Sequence, residues 1–271
     1  MTNKPFLKWA GNKFRVLPHI LPLIDTPNQY IEPFAGSTAV ALNVVALKYV
    51  LNDFNSDLIH LYHFILNDDK FIDECERAFY QTNAEDIFYH HRNAFNYSED
   101  IRQRAMLFVY LNRHCFNGLT RYNKSGQFNV PFGKYKSPYF PRKEMENFIS
   151  VFSQLSVKFS SGDFASEHLY QNIDSSTVVY FDPPYLPLTD TANFSDYATG
   201  GFNYDDQVRL RDLALNLANR GARVIISNHD TPVARELYST ASITSIDVGR
   251  FIAAKGTSRQ KVKEVLAVWN P

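Results

Sequence analysis

Apolar residues along the chain follow two kinds of repeat, and their alternation predicts the architecture. Short apolar runs read as strands: Gln29 to Pro33, Tyr49 to Asn52, Val157 to Phe159, Thr177 to Phe181, Val224 to Ile226 and Val262 to Val268. Thr38 to Leu47, between the first two, reads as a helix, so the chain opens as strand, turn, helix, strand. Helical spacing then takes over. Leu58, Leu61, Phe64 and Ile65 share one helical face, and Ile101, Ala105, Phe108 and Leu111 share another. From Gly118 to Pro141 the periodicity vanishes and Gly, Pro, Asn and Tyr dominate. Loops of that length inside compact proteins are usually functional. The pattern predicts an α/β fold: a doubly wound, Rossmann-like sheet from residues 1–56 and 144–271, with a mainly helical segment, 57–143, inserted into it.

Bulk properties narrow the classes. A chain of 271 residues with 45% hydrophobic content can bury a full core. Met1 to Lys13 is short, polar and aromatic and does not read as a signal peptide. The longest apolar stretch, near Ala39 to Val50, is broken by Asn43 and Lys48 and is too short to span a bilayer. Cys75 and Cys115 form no CxxC pair, which suits a reducing cytoplasm and argues against structural zinc. The histidines show no HExxH or other ligand spacing, so no metal is expected. The expectation is a cytoplasmic protein.

The formal net charge of +0 hides an uneven distribution. Arg102 to Lys143 and Val248 to Lys263 together carry fourteen of the 28 basic residues and no acid. Two basic segments on an acidic body suit contact with phosphates, the alternative being an ordinary solvated surface.

Chemistry concentrates at Asp182-Pro183-Pro184-Tyr185, directly after the apolar run Val178 to Phe181. In a doubly wound sheet the carboxyl ends of strands face the ligand crevice. Two prolines remove two backbone donors and stiffen the turn, so the Pro183 carbonyl can lie beside the Asp182 carboxylate. Two adjacent acceptors match an amino group with two N–H donors, and Tyr185 offers a flat face for a base. The alternative is a merely rigid turn. A second motif, Glu32-Pro33-Phe34-Ala35-Gly36-Ser37, ends the first strand without a GxGxxG, so a pyrophosphate site is poorly supported. Asp53 ends the next strand, where an acid grips ribose hydroxyls in nucleotide-binding sheets. A ribose carboxylate without a phosphate cradle suits a nucleoside cofactor such as S-adenosylmethionine.

Together, Phe6 to Lys13, the segment around Gly36, Leu51 to Asp53 and Asp182 to Tyr185 closely resemble the Dam-type DNA adenine methyltransferases. Asn117 to Asn123, Phe128 to Gly133 and Ile226 to Asp230 extend the match over nearly the whole chain. The resemblance implies methyl transfer from S-adenosylmethionine to the 6-amino group of adenine in double-stranded DNA, within GATC and by base flipping. It implies a catalytic role for Asp182 to Tyr185. Cofactor contacts fall on Trp9, Ala10, Gly11, Lys13, Glu32, Phe34, Gly36, Ser37, Asp53, Phe54 and Asp182, with Asp163 and Phe164 at the cofactor's adenine ring. The insert matches the family's recognition domain. Arg121 matches a guanine-reading arginine, Leu119 and Pro131 meet a thymine methyl, Tyr135 lies near the target pair, and Lys8 serves the outer guanine. Phe116 and Asn117 match the residues that wedge into the stack. Asn123, Asn129, Lys134, Arg259 and Lys261 complete the expected DNA contacts.

Two departures stand out. Relatives often read F-x-G-x-G in the cofactor loop, where Thr38 replaces the second glycine, and the wedge residue is often tyrosine rather than Phe116. Cytosine 4-amino methylation and ribosomal RNA adenine methylation share the same chemistry and stay open at this stage. A deaminase is excluded, since its zinc ligands H-x-E and P-C-x-x-C are absent. A monomer fits this reading, which leaves oligomeric state open.

Overall fold

A computed structural model describes residues 2–80, 83–187, 202–249 and 261–271. The expected doubly wound sheet is present. Strand β1 (Gln29–Glu32) pairs in parallel with β2 (Lys48–Asp53), Glu32 opposite Leu51. On its other side it pairs in parallel with β4 (Thr177–Phe181), Ile31 opposite Val179. Strand β5 (Arg223–His229) continues the parallel set with Phe181 opposite Ile226. The antiparallel pair β6 (Ser242–Gly249) and β7 (Lys261–Trp269) closes this side, with β7 against β5 and Ser227 opposite Leu266. With β3 (Ser156–Ser161) the order is β3-β2-β1-β4-β5-β7-β6. All five residues of β4 are buried. That explains its unbroken apolar reading, because a central parallel strand is covered on both faces.

The helices are α1 (Leu17–Ile24), α2 (Ser56–Asn67), α3 (Phe71–Phe79), α4 (Glu85–Tyr97), α5 (Ile101–His114), α6 (Arg142–Phe152), α7 (Tyr204–Asn219) and α8 (Pro232–Leu237). Several start on side-chain caps that the sequence supplies. The Asn55 carboxamide accepts from the Asp57 and Leu58 amides, Asp100 caps α5, and Asn203 and Asp206 form a reciprocal capping box on α7. On α5 the stripe Ala105, Phe108 and Leu111 is buried, while Ile101, in the first turn, is exposed.

Thr38 to Leu47 is not a helix. Only Ala41–Asn43 makes a short 3-10 turn. Side chains here take backbone groups that a helix needs for itself. Asn43 donates to the Ala39 and Asn3 carbonyls, and the Tyr49 hydroxyl donates to the Val44 carbonyl while accepting from the Ala46 amide. Thr38 also sits at φ 58°, a left-handed conformation that a helix cannot contain.

The chain divides into two compact units, Met1–Arg15, Ala35–Asn43 and Asn52–Gly162, then Val16–Phe34, Val44–Leu51 and Asp163–Pro271. The first unit contains the whole of 57–143, and also takes in the amino-terminal segment and α6. Aromatic packing accounts for this: the Phe6 ring lies edge-on to Tyr62 at 5.8 Å and to Phe148 at 5.5 Å. The second unit has its own core, with Ile31, Val179, Phe181, Leu210, Ile226 and Trp269 among its buried members.

Candidate active site

In the second unit the turn Asp182 to Leu186 follows β4 and is pinned at every residue but one. The Ser227 hydroxyl donates to Asp182 Oδ1 at 2.9 Å. Gln207 Nε2 donates to the Pro184 carbonyl at 2.7 Å, and the Leu186 amide donates to Asn228 Oδ1 at 2.9 Å. The Tyr185 hydroxyl donates to Glu264 Oε2 at 3.0 Å, and the His229 ring meets the Tyr185 ring edge-on at 4.8 Å. Asn228, fully buried, also donates to Gln207 Oε1 and the Tyr238 hydroxyl, so the clamp is itself held. Pro183 is buried, and its carbonyl accepts no hydrogen bond among the described residues. Burial first, then Asp182, Tyr180 and Glu264, push the Tyr185 phenol well above its ordinary range, which keeps it a donor. Sequence reasoning missed Ser227, Gln207 and Glu264 as supports.

The first unit gathers Trp9, Gly11, Lys13, Gly36, Ser37 and Asp53. Gly36, at φ 45°, lies flat under the Trp9 indole: a Cβ there would stand 2.7 Å from Trp9 Nε1. The Gly36 amide donates to Asp53 Oδ2 and the Asn55 amide to Asp53 Oδ1, both at 2.9 Å. Burial raises the Asp53 carboxyl above the usual carboxylate range, and these two amides oppose the rise. Lys13 is buried and donates from Nζ to the Gly11 carbonyl, while Asn12 Nδ2 donates to Ser37 Oγ. Ala10 is exposed, and Phe54 is 83% exposed beside Asp53. Such a donor set, a carboxylate flanked by an indole and an exposed ring, fits a nucleoside's ribose and base.

Further candidates lie in the second unit. Buried Glu32 accepts from the Tyr30 hydroxyl at 3.0 Å. Phe34 stacks on Phe164 at 5.3 Å and 27°. Asp163 is exposed and paired with Arg209 at 3.0 Å, and that guanidinium lies 5.0 Å over the Phe164 ring.

The aperiodic loop of the first unit is a small hairpin. Tyr122 bridges Phe128, and the Asn129 amide donates to the Arg121 carbonyl. Asn123 makes the tip, its carboxamide accepting from the Ser125 and Gln127 amides. Arg121 is exposed and fixed by Asn129, Nε donating to Oδ1 at 2.7 Å. Leu119 is half-buried and Pro131 exposed. Phe116 is 50% exposed and Asn117 stands at φ 55°. Lys8 threads past Gly118 to place Nζ 4.1 Å over the Tyr135 ring. Beneath the hairpin, the Tyr122 hydroxyl donates to buried Asp57 at 2.8 Å, and Asn55 Nδ2 reaches that hydroxyl at 3.4 Å. Arg104 grips the same Asp57 carboxylate through Nε and Nη2, while Nη1 donates to the Phe95 carbonyl.

The even reading of the first basic segment as phosphate contacts needs correction. Arg102 pairs with Asp68 and Glu74, Arg104 with Asp57, and Arg142 with Asp73, Glu76 and Glu146. Arg113 donates to the Phe6 carbonyl. Arg102, Arg104 and Arg142 thus balance acids, all but Glu146 lying earlier in the chain. Arg121, Lys124, Lys134 and Lys136 are exposed, Lys134 standing 3.9 Å from Glu85. Arg259 lies outside the described residues, as do Arg250 and Lys255, and Lys261 opens β7.

A doubly wound sheet that ends a buried strand in a clamped Asp-Pro-Pro-Tyr turn fits an amino-group methyltransferase. Residues 9–252 match the model of the D12 class N6 adenine-specific DNA methyltransferases. The chain is 41% identical to the DNA adenine methylase of Escherichia coli (strain K12), over 99% of this chain and 96% of that one. It is 42% identical to that of Salmonella typhi and 41% to that of Vibrio cholerae (El Tor Inaba N16961), with the same coverage. An rRNA methyltransferase from Streptomyces viridochromogenes is 12% identical, with a TM-score of 0.41 over 94% of this chain and 84% of that one, too distant for argument.

The chain belongs to the D12 class of N6 adenine-specific DNA methyltransferases. It is therefore an enzyme that methylates adenine in DNA, with S-adenosylmethionine as methyl donor. Cytosine and ribosomal RNA fall away as the primary readings. Among the described residues no cluster of His, Cys, Asp and Glu could hold a metal, and no helix is long and apolar enough to cross a membrane.

Proposed function

We propose that this methyltransferase acts on the adenine of GATC in double-stranded DNA, in the bacterial or phage-infected cytoplasm, and that the base leaves the duplex to reach Asp182 to Tyr185. One observation carries the reading: the Asp182 carboxylate and the Pro183 carbonyl, which accepts no hydrogen bond among the described residues, are adjacent acceptors on a turn that is clamped on both sides. The adenine amino nitrogen is a weak nucleophile because its lone pair is delocalised into the ring. Accepting both of its hydrogens at Asp182 and Pro183 favours a tetrahedral nitrogen and localises that pair, while the Tyr185 ring stacks on the base. The cofactor supplies an activated methyl group for in-line attack, and the residues contribute positioning. In the first unit Asp53 takes the cofactor's ribose hydroxyls beside Trp9 and Lys13.

Sequence selection is proposed to rest on the hairpin and its surroundings. Arg121 reads a guanine bidentately, Leu119 and Pro131 meet the thymine methyl, Lys8 serves the outer guanine, Tyr135 lies near the target base pair, and Phe116 with Asn117 fills the gap left by the extruded base. The test is to methylate a plasmid with the purified protein and digest it with nucleases that distinguish methylated from unmethylated GATC. Protection confined to GATC is expected. Methylation with no protection at GATC overturns this reading of the recognition sequence.

A further inference from the structure

Behind the Asp-Pro-Pro-Tyr turn runs a line of buried hydroxyls whose hydrogen bonds have only one consistent direction. Ser227 and Tyr180 are both fully buried. Ser227 Oγ lies 2.9 Å from Asp182 Oδ1, and an ionised carboxylate can only accept, so the serine's single hydrogen points to Asp182. A longer contact from the same hydroxyl to the Phe181 carbonyl, 3.3 Å, is the weaker acceptor. The Tyr180 hydroxyl lies 3.0 Å from Ser227 Oγ. With the serine hydrogen spent, the tyrosine must be the donor. Burial, with Asp182, Glu32 and Glu264 nearby, holds the Tyr180 phenol well above its ordinary range, so it keeps the proton it donates.

We propose that Ser227, polarised by Tyr180, is a positioning residue for methyl transfer: it fixes the rotation of the Asp182 carboxylate so that its remaining acceptor capacity, with the Pro183 carbonyl, meets the two hydrogens of the target amine. The proposal rests on the catalytic reading of Asp182. Three features support it. Ser227 follows the buried residues Val224 to Ile226, which pair with β4, and itself pairs with Leu266 of β7, so its backbone is fixed within the sheet. Its immediate neighbour Asn228 clamps the far end of the same turn through the Leu186 amide, so β5 holds the turn at both ends. Tyr180 lies on β4, the strand that leads into the turn, and its hydroxyl meets the same serine oxygen that bonds Asp182. A hydrogen bond from a neutral donor to a charged group, strengthened by a second donor behind it, is the arrangement expected to hold a carboxylate in one rotamer.

The experiment measures single-turnover methyl transfer to a GATC duplex, together with dissociation constants for S-adenosylmethionine and for the duplex, in Ser227→Ala, Tyr180→Phe, the double variant and Asp182→Ala. Ser227→Ala is expected to slow transfer ~10- to 100-fold, the range for losing a hydrogen bond to a charged group. Both dissociation constants should stay within about twofold. Tyr180→Phe, nearly isosteric, should slow transfer by a smaller factor of about three to ten. The double variant should be no slower than Ser227→Ala alone, because the tyrosine acts only through the serine. Transfer at the wild-type rate in Ser227→Ala overturns the proposal, as do losses that multiply in the double variant or fall equally on rate and both affinities. Should Ser227→Ala not fold, Tyr180→Phe decides alone: slowing supports the proposal and a wild-type rate overturns it. Asp182→Ala separates the two readings. If it still transfers methyl groups, the catalytic reading itself fails. If it is inactive while Ser227→Ala is not, only the positioning inference fails.

Discussion

Arg121 donates from Nε to Asn129 Oδ1 at 2.7 Å, while the Asn129 amide returns a bond to the Arg121 carbonyl at 3.1 Å. The two residues face each other across the hairpin, and the arginine is held by one edge of its guanidinium. On the proposed reading, Arg121→Ala should methylate sites altered at one guanine almost as well as GATC. The lost discrimination should be about 1–3 kcal/mol, the worth of a bidentate pair. Asn129→Ala should lose part of the same discrimination, because the guanidinium is then free to turn. Lys134→Ala should weaken all sequences alike and flatten the salt dependence. Rates on a panel of single-base variants at two salt concentrations check all three. An Arg121→Ala enzyme that is slower yet equally selective would instead mark the residue as a phosphate contact.

Phe116 is half exposed although it follows the buried end of α5, so it is not a core residue of that helix. As a wedge it fills the space of the extruded base, and base–aromatic stacking is worth about 1–3 kcal/mol. Phe116→Ala should reduce the fluorescence rise of an adenine analogue at the target position by ~5- to 100-fold in the flipping equilibrium. Cofactor affinity should hardly move.

Thr38 is a β-branched residue at φ 58°, fully buried, its hydroxyl donating to the Ser37 carbonyl at 2.6 Å. The backbone therefore takes the shape expected for a glycine at this position, and the threonine bears it at a cost of ~1–2 kcal/mol. Replacement should reverse the usual order of preference. Thr38→Gly relieves strain while losing a buried methyl and should be near neutral. Thr38→Ala keeps the strain and loses both methyl and hydrogen bond, so it should be less stable by about 1 kcal/mol or more. Urea denaturation of the two variants decides.

His114 is buried between Tyr110, stacked on it at 3.9 Å, and Phe79 at 4.6 Å, and burial pulls its pKa down to about 4. The folded value lies below the ordinary 6.5, so the contribution is fully present above about pH 6.5 and is lost as pH falls through about 4. Between those limits the cost is about 2–3 kcal/mol. His114→Phe should flatten the stability profile between pH 7 and pH 4. Equal slopes in variant and wild type would assign the acid sensitivity elsewhere.

Motifs that depend on neighbours in sequence were legible, and those that depend on distant partners were not. Asp182 and Asp53 could be placed at strand ends because a continuous apolar run precedes each. The clamp on the turn was invisible: Gln207, Ser227 and Glu264 lie 23 to 79 residues beyond the turn residues they hold, and nothing local marks them. The region after Gly36 misled for a related reason. Its apolar content is helical, but the Asn43 and Tyr49 side chains capture the backbone groups, and only three-dimensional proximity reveals that. Charge patterning erred likewise, since acids of α2 and α3 neutralise Arg102, Arg104 and Arg142.

Asp53, Asn55 and Asp57 perform three tasks within five consecutive positions: acceptor for the Gly36 amide and proposed cofactor carboxylate, helix cap, and buried anchor for Tyr122. The hairpin is thus a plug whose socket is built into the turn that also shapes Asp53. Tyr122 is the pin, and residues on either side of it project away from the socket. A library that randomises Leu119, Arg121, Asn129 and Pro131 while holding Tyr122, Asp57 and Arg104 constant can therefore vary what is read without loosening what holds the reader. Variation at the pin forfeits that independence, because a disturbance there is felt at Asn55, two residues from Asp53.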